Sequence, residues 1–467
     1  MRRKGRMKKL PRPPRPAVSR RRFLRDAAAV YATVLIVPGR VLGLGGEKSP
    51  NEKLNLAGVG IGGQGSSDLA SLDSENIVAL CDVDHHHAAH VFKRYPGAKP
   101  FTDYRKLLEE RKDIDGVVIA TPDHLHAFVA MAALKLGKHV YCEKPLTHSV
   151  WEARQLTLAA RTAKVATQMG NQGQASEDTR RLCEMIWDGA IGPVREVHVW
   201  TDRPSNGLFG EFWPQGIERP ADTPRVPDSL NWDLWLGPAP PRPYHPAYAP
   251  FRWRGWWDFG TGALGDIGCH ALDPVFRALK LGAPVSVEAS STRVNLETYP
   301  LSSMVTYEFP ARGELPAAKV VWYDGGLRPP RPPELEPGRE LGANGHLFIG
   351  DKGKITTQRG EGRRSYTLIP EARALEYGEP PKRLARSVGH YAEWAAACKG
   401  GPPGGSNFDW AGPLTEAVLL GNVALRRELR EELTTKKLLW DSANLRFTNS
   451  EAANRFVRRE YRAGWTL

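Results

Sequence analysis

Three short motifs in this chain carry side chains that can do chemistry. Glu143-Lys144-Pro145 sets a carboxylate beside an ammonium directly after the apolar stretch His139–Cys142. Asp266-Ile267-Gly268-Cys269-His270, with Asp273 after it, places an acid and an imidazole four residues apart. On a helix that spacing puts both on one face, and an imidazole suits proton transfer near neutral pH. Thr121-Pro122-Asp123-His124-Leu125-His126 follows another apolar stretch, Gly116–Ala120. Taken singly, an acid and a histidine four apart can be a surface pair, and a loop lysine can simply be solvated.

A fourth feature says what such groups would act beside. The apolar run Leu54–Val59 enters Gly60-Ile61-Gly62-Gly63-Gln64-Gly65, and a second apolar run, Ile77–Leu80, leads to Asp82. In a G-x-G-x-x-G turn between strand and helix, the first glycine permits the turn and the second lets backbone approach a pyrophosphate. The third lets the helix pack close to the strand. The helix N-terminus offers unpaired N–H groups and a positive dipole end to phosphates. Asp82, at about the expected separation of 20 residues, can accept both ribose hydroxyls of an adenosine, and its charge opposes a 2′-phosphate. The turn residues Gly60, Gly62, Gly63, Gln64 and Gly65 with Asp82 therefore read as a dinucleotide site that favours NAD, with NADP as the alternative.

The elements that must position these groups follow from periodicity. After residue 50, strands at Leu54–Val59, Ile77–Leu80, Gly116–Ala120, His139–Cys142 and Val165–Met169 alternate with helices at Gly65–Leu72, His85–Tyr95, Asp103–Arg111, His124–Leu136 and Ser149–Ala163. That alternation predicts βαβ units and a parallel sheet. The loops carrying Pro122 and Lys144 leave carboxyl ends of strands, where doubly wound sheets bind ligands. Beyond Gly170 the pattern changes. A helix at Thr179–Asp188 and a strand at Val194–Thr201 precede a long segment, Asp202–Gly255, crowded with Pro, Trp and Tyr. So many aromatics predict a satellite core, with one or two rings free to stack on a sugar. A helix at Ala263–Leu279, strands at Val285–Val294, Ser302–Glu308, Ala318–Tyr323, Gly345–Ile349 and Lys354–Thr357, and helices at Ser387–Lys399 and Leu414–Leu429 follow. The expected fold class is α/β: a Rossmann doubly wound parallel sheet over 51–170, plus a second α+β domain over 171–467 with an open, mostly antiparallel sheet.

Charge narrows the function classes. The 467-residue chain carries a formal charge of +13. Twelve Lys and Arg side chains precede the first acid, Asp26, leaving +1 for everything after it. A nucleic-acid-binding face needs a basic surplus on the folded part, so nucleic acid is excluded as a partner. The basicity belongs to residues 1–50. Ser19-Arg20-Arg21-Arg22-Phe23-Leu24-Arg25 resembles the twin-arginine export signal, and the apolar run Ala27–Val37 is too short for a bilayer span of about 20 residues but suits a signal h-region. The expectation is a twin-arginine signal and linker, handled by the twin-arginine translocase, with cleavage near Gly43–Pro50 or retention as an anchor both open. The location would be periplasmic or otherwise exported, with no membrane span in the mature form. Five cysteines without a C-x-x-C pair argue against a disulfide framework. His85-His86-His87 reads as solvated surface, and Asp266 with His270 lacks a third ligand for a metal. No phosphate loop of the G-x-x-x-x-G-K-[ST] type and no G-x-S-x-G elbow is present.

With E-K-P and D-x-G-x-H following G-x-G-x-x-G in that order, the chain from about Asn51 onward resembles the Gfo/Idh/MocA family of NAD(P)-dependent sugar and polyol oxidoreductases. The resemblance implies His270 as general base, Lys144 as the donor to the reacting hydroxyl, and Asp266 as the residue orienting substrate or the charged pair. It implies a cis bond before Pro145, and Pro122, His126 and Glu143 beside the cofactor. Asn171 could reach cofactor or substrate, or simply form a turn; Asp273 could touch substrate or support its helix. His124 has no such match and reads as surface. The resemblance further implies tightly held NAD, a sugar or polyol substrate and a homo-oligomer, dimer or tetramer. Because relatives of this family include NAD-dependent glycosidases, redox-neutral oxidation and elimination is the rival chemistry, and a non-catalytic sugar- or cofactor-binding module is a third.

Overall fold

The structure is a computed structural model that describes residues 52–205, 211–360, 363–430 and 437–467; the expected signal over residues 1–50 lies outside them. Among the described residues, six strands form the first sheet: β1 (Asn55–Val59), β2 (Asn76–Cys81), β3 (Lys99–Phe101), β4 (Gly116–Ile119), β5 (His139–Cys142) and β6 (Thr167–Met169). All neighbours are parallel, in the order β3-β2-β1-β4-β5-β6. The order reverses beside β1, so a crevice opens outside the carboxyl ends of β1 and β4, where ligands of doubly wound sheets bind. β4 is buried throughout, as a strand covered by helices on both faces must be. The three-residue β3, Lys99-Pro100-Phe101, escapes a periodicity reading because it is short and contains proline; it survives as an edge strand, where a missing N–H costs least.

The second sheet has nine strands among the described residues: β7 (Val194–Trp200), β8 (Ser286–Ser291), β9 (Ser303–Phe309), β10 (Ala318–Tyr323), β11 (Gly345–Gly350), β12 (Gly353–Gly360), β13 (Arg363–Ile369), β14 (Leu438–Asp441) and β15 (Arg446–Phe447). Its order is β13-β12-β11-β7-β10-β9-β8-β14-β15, antiparallel except for β7 with β10. Along β9 buried and half-buried residues alternate, the mark of one covered face. Part of the other face lies under the Pro-rich connection between β10 and β11, whose Leu335 and Leu341 pack on Trp200, Val321 and Tyr323.

Two features differ from the sequence reading in ways that matter for the site. The helix expected over Ala263–Leu279 is two helices, Gly262–Ala271 and Asp273–Leu279, the second starting with Pro274 in its first turn. Proline lacks the N–H that a continuous helix would need there. The later part of the chain also returns to the first sheet. The helix His390–Cys398 inserts Trp394, fully buried, among Leu56, Val118 and Tyr141. The helix Phe408–Ala424 lies against Val150–Ala163 so closely that a Cβ on Gly412 would fall 1.9 Å from Thr157 Oγ1, and Arg154 pairs with Glu416 at 2.7 Å. Residues Leu54–Leu467 consequently form one compact unit. All five cysteines are free thiols. Among the described residues no helix is long and apolar enough to cross a membrane.

Candidate active site

The glycine turn sits at the crevice for steric reasons that can be read atom by atom. Gly60 has φ +78°, and a Cβ there would fall 2.6 Å from the Thr121 amide nitrogen at the end of β4. A Cβ on Gly65 would fall 2.5 Å from Gly60 O and 3.2 Å from Ala120 Cβ. The first and third glycines thus let the helix Gln64–Ala70 and the ends of β1 and β4 approach one another. Gly60, Gly62, Gly63 and Gln64 line a cavity of about 410 Å³; Gly65 serves packing instead. Asp82 lines the same cavity, 9% exposed, with Oδ2 accepting the Ile61 and Gly62 amides at 2.9 and 3.0 Å. Its carboxylate therefore holds the turn in shape as well as facing the cavity. Burial raises its pKa despite those N–H donors. The histidine tract divides: His85 and His86 are exposed, whereas the His87 ring lines the cavity and lies 2.2 Å from where a Cβ on Gly62 would stand. Reading all three as surface was wrong for His87, which is half-buried at the cavity wall; Asp84 Oδ1 accepts the amides of both His86 and His87 at 3.1 Å.

At the other end of the cavity the E-K-P loop meets the second half of the chain. The Lys144–Pro145 bond is cis. Lys144 Nζ lies 2.8 Å from Asp266 Oδ1, with the two side chains 14% and 9% exposed. Arg254 Nε approaches the same oxygen at 3.1 Å. Burial alone would raise the Asp266 carboxyl, but Lys144 and Arg254 overcome it and hold it well below the ordinary range. Burial likewise opposes charge on Lys144; Asp266 and then Glu143 outweigh it, leaving the ammonium above its ordinary value. His270, one turn beyond Asp266 and half-buried, adds a smaller share to keeping that carboxylate ionised. The structure brings Lys144 and Asp266 together across 122 residues; His270 is on the helix of Asp266 but does not line the 410 Å³ cavity.

Glu143 also lines the cavity, and its carboxylate accepts from Gln172 Nε2 at 2.9 Å and Tyr141 OH at 3.4 Å. Gly170 makes room for it, since a Cβ there would fall 2.0 Å from Glu143 Oε1. Burial, reinforced by Asp68, pushes Glu143 up to about 8. Pro122 precedes the helix Asp123–Lys135 and lines the cavity, as does His126. The two ring nitrogens of His126 face Pro145 O at 2.7 Å and Thr121 O at 2.8 Å, so it braces the E-K-P loop against the end of β4. Burial drives its pKa down to about 4.

Two residues, His124 and Asn171, stand otherwise than expected, and a third, Asp273, takes one of the two readings open to it. His124 is not surface: it is fully buried, between the carbonyls of Trp235 at 2.9 Å and Phe259 at 3.2 Å. Asn171 is 1% exposed, accepts from Ser406 Oγ, and does not line the cavity. Asp273 takes its structural alternative, held by Arg277 at 2.9 Å and by Trp410 Nε1 at 2.7 Å. Two site residues escaped the sequence reading. Arg254 stands among the aromatics of Trp253-Arg254-Gly255-Trp256-Trp257, where it reads as packing; its guanidinium lies 4.2 Å from the Phe251 ring centre and 4.3 Å from that of Trp253. Asp123 begins its helix, where an acid is expected for the dipole, yet it lines the cavity, 2% exposed, with Thr261 Oγ1 at 2.5 Å. Burial raises it to about 7. The aromatic segment forms the expected satellite core, with Trp235, Tyr248, Trp256 and Phe259 buried together.

Two family models match this chain. Residues 54–171 match the oxidoreductase family with an NAD-binding Rossmann fold, GFO_IDH_MocA. Residues 186–312 match the C-terminal alpha/beta domain of the same oxidoreductase family. The chain belongs to the Gfo/Idh/MocA family. It is 26% identical over 186 residues to levoglucosan dehydrogenase of Pseudarthrobacter phenanthrenivorans, covering 40% of this chain and 38% of the relative. It is 29% identical over 208 residues to glycosyl hydrolase family 109 protein 2 of Akkermansia muciniphila, covering 42% and 44%. The matched stretch thus spans less than half the length of these curated relatives. The WlbA dehydrogenase of Bordetella pertussis, solved with NADH and UDP-GlcNAcA, superposes with a TM-score of 0.56 at 18% identity, over 83% of this chain and 99% of that one, a likeness of fold.

Proposed function

We propose that this protein is an oxidoreductase that moves a hydride between NAD and a hydroxyl-bearing carbon of a sugar, polyol or sugar derivative. The observation that carries the reading is the buried Lys144–Asp266 pair at 2.8 Å, formed at one end of a cavity whose other end is the glycine turn and Asp82. The residues present fit the cofactor: the turn lines the cavity, and Gly60 and Gly65 occupy places no larger residue could take. Gly62, Gly63, Gln64 and the helix N-terminus would hold the pyrophosphate, and Asp82 the adenosine ribose. Pro122, His126 and Glu143 would lie along the nicotinamide half. NAD, when bound, supplies the hydride acceptor.

The chain supplies the rest. Lys144, kept charged by Asp266, would donate to the reacting oxygen and stabilise negative charge developing there. Asp266 holds that ammonium in place, with Arg254 on the same carboxylate oxygen. His270 would take the hydroxyl proton, or return it in reduction; this role rests on the spacing from Asp266 and on the family resemblance. To test the reading, the purified protein is denatured and the released nucleotide identified by mass, and sugars and polyols are then screened for a change in nicotinamide absorbance. Turnover unchanged in both Lys144→Ala and His270→Ala would remove the site assignment.

The glycosyl hydrolase family 109 relative favours a second reading, in which the same groups serve a redox-neutral cleavage of a glycoside. Aryl glycosides with no added acceptor separate the two: aglycone release supports cleavage, and net NADH from free sugars supports dehydrogenation. We further propose export by the twin-arginine route, from Ser19–Arg25 and the apolar run after it. Tight retention of the cofactor would suit a compartment without a nicotinamide pool. Replacing Arg20 and Arg21 by Lys should strand the protein in the cytoplasm, and normal export of that variant would end the proposal. The family resemblance also supports a homo-oligomer, which light scattering would contradict by returning the mass of one chain.

A further inference from the structure

The cavity does not end at the first sheet. Its wall on the Asp82 side is made by Leu230, Leu234 and Trp235 from the aromatic segment and by Trp465 from the far end of the sequence, well past the last residue matched by either family model. The aromatic segment is stitched onto the end of β2. The Asn231 amide donates to Val83 O at 2.8 Å, the His85 amide to Ser229 O at 3.1 Å, and Ser229 Oγ to Asp84 Oδ1 at 2.9 Å. Asp84 and Leu230 form an antiparallel bridge.

Trp465 is held from several sides. The Arg105 guanidinium lies 5.1 Å from its ring centre, and Phe128 meets it edge-on at 5.5 Å. Its amide donates to Arg462 O at 3.1 Å. Arg462 in turn reaches the aromatic segment, pairing with Asp233 at 2.6 Å and donating its amide to Pro238 O at 2.9 Å. A few residues upstream, Arg459 pairs with the fully buried Glu152 at 2.7 Å and donates to His124 O at 2.6 Å. The two wall segments are therefore tied to each other and to the first sheet.

The chemistry of this end selects its occupant. Asp82, Asp84 and Asp103 line it, while the only Lys and Arg among the lining residues, Lys144 and Arg254, belong to the opposite end. From the end of β2 to the end of β5 is three strand spacings, about 14 Å. An apolar, aromatic-walled slot beside carboxylates suits a planar base on a ribose bearing free hydroxyls and disfavours an added ribose phosphate.

We propose that Trp465 is a nucleotide-binding residue that, with Leu230 and Trp235, closes the adenosine end of the cavity and slows release of NAD. The proposal rests on the dinucleotide reading above and adds the residue that retains the ligand. The test measures binding on the full chain, not activity. Bound NADH is displaced by excess NAD and its release followed by nicotinamide fluorescence, for the unsubstituted protein and Trp465→Ala. Affinities for AMP and for nicotinamide mononucleotide are measured alongside. Release should accelerate, and AMP affinity fall, by roughly tenfold or more, the scale of losing one aromatic contact to a base, with nicotinamide mononucleotide affinity unchanged. Unaltered NADH release and AMP affinity in a folded Trp465→Ala would overturn the proposal, as would equal weakening of both halves. Should that variant not fold, Trp465→Leu, which keeps an apolar contact for Phe128, is judged by the same criteria. Failure of the unsubstituted protein to bind any dinucleotide would instead remove the underlying reading.

Discussion

Asp123 offers a quantitative check on the electrostatics of the site. Its carboxyl is 2% exposed with Thr261 Oγ1 at 2.5 Å. Burial raises its pKa from 3.8 to about 7, Asp266 adds to the rise, and Thr261, Lys144 and Arg254 temper it. Below about pH 4 folded and unfolded chains both carry the proton. Between there and about pH 7 the folded chain keeps a proton that the unfolded chain has released, so stability falls as pH rises. Above that range both are ionised and the full penalty stands, roughly 3 units at 1.36 kcal/mol each, or about 4 kcal/mol. Asp123→Asn keeps the shape and an oxygen for Thr261 but cannot titrate. Relative to the unsubstituted protein it should gain about 3 kcal/mol between about pH 5 and pH 8, because some two of those units lie in that interval. The other carboxyls raised by burial, Asp68, Asp82, Glu143 and Asp324, titrate in both proteins and cancel in the difference. Urea unfolding followed by tryptophan fluorescence across pH reads it directly. Parallel stability profiles for the two proteins would mean that Asp123 ionises like a solvated acid and that the burial argument is wrong.

Lys144→Ala should lower kcat by about 100-fold or more, the usual scale for losing a donor to a developing oxyanion, while NAD still binds; steady-state kinetics beside a binding titration check both halves of that statement. Gly60→Ala should abolish the rise in Tm on adding NAD, since positive φ costs a non-glycine residue about 1–3 kcal/mol and the new Cβ meets rigid backbone of Thr121 at 2.6 Å. Arg459→Ala leaves the fully buried Glu152 carboxylate without its ion partner and should cost about 3–5 kcal/mol by chemical denaturation, more than a surface pair such as Arg225 with Asp228, whose loss should cost under about 1 kcal/mol.

The parallel sheet and the glycine turn were legible because both are local. The strand-helix alternation of 54–169 shows in the period of its apolar residues, and Gly60 and Gly65 show through backbone demands that hold wherever that turn occurs. The motifs flanking β4 and β5 could be placed at the ligand edge for the same reason, since strand direction in a βαβ unit follows from order along the chain. What the sequence could not yield is which groups share one space. Lys144 meets Asp266 across 122 residues, and Arg254 joins them from a segment whose composition reads only as aromatic packing. His124 and His126, two positions apart, look alike in sequence. Both are buried, but His126 faces the cavity while His124 is enclosed by Trp235 and Phe259, because the aromatic segment folds over that side of the helix. Burial also set the proton affinities of Asp123, Glu143 and Asp68, which no local pattern encodes. Local backbone chemistry thus determined the elements and the turn; the long-range packing of residues 211–467 onto them decided which side chains face the cavity and in what charge state.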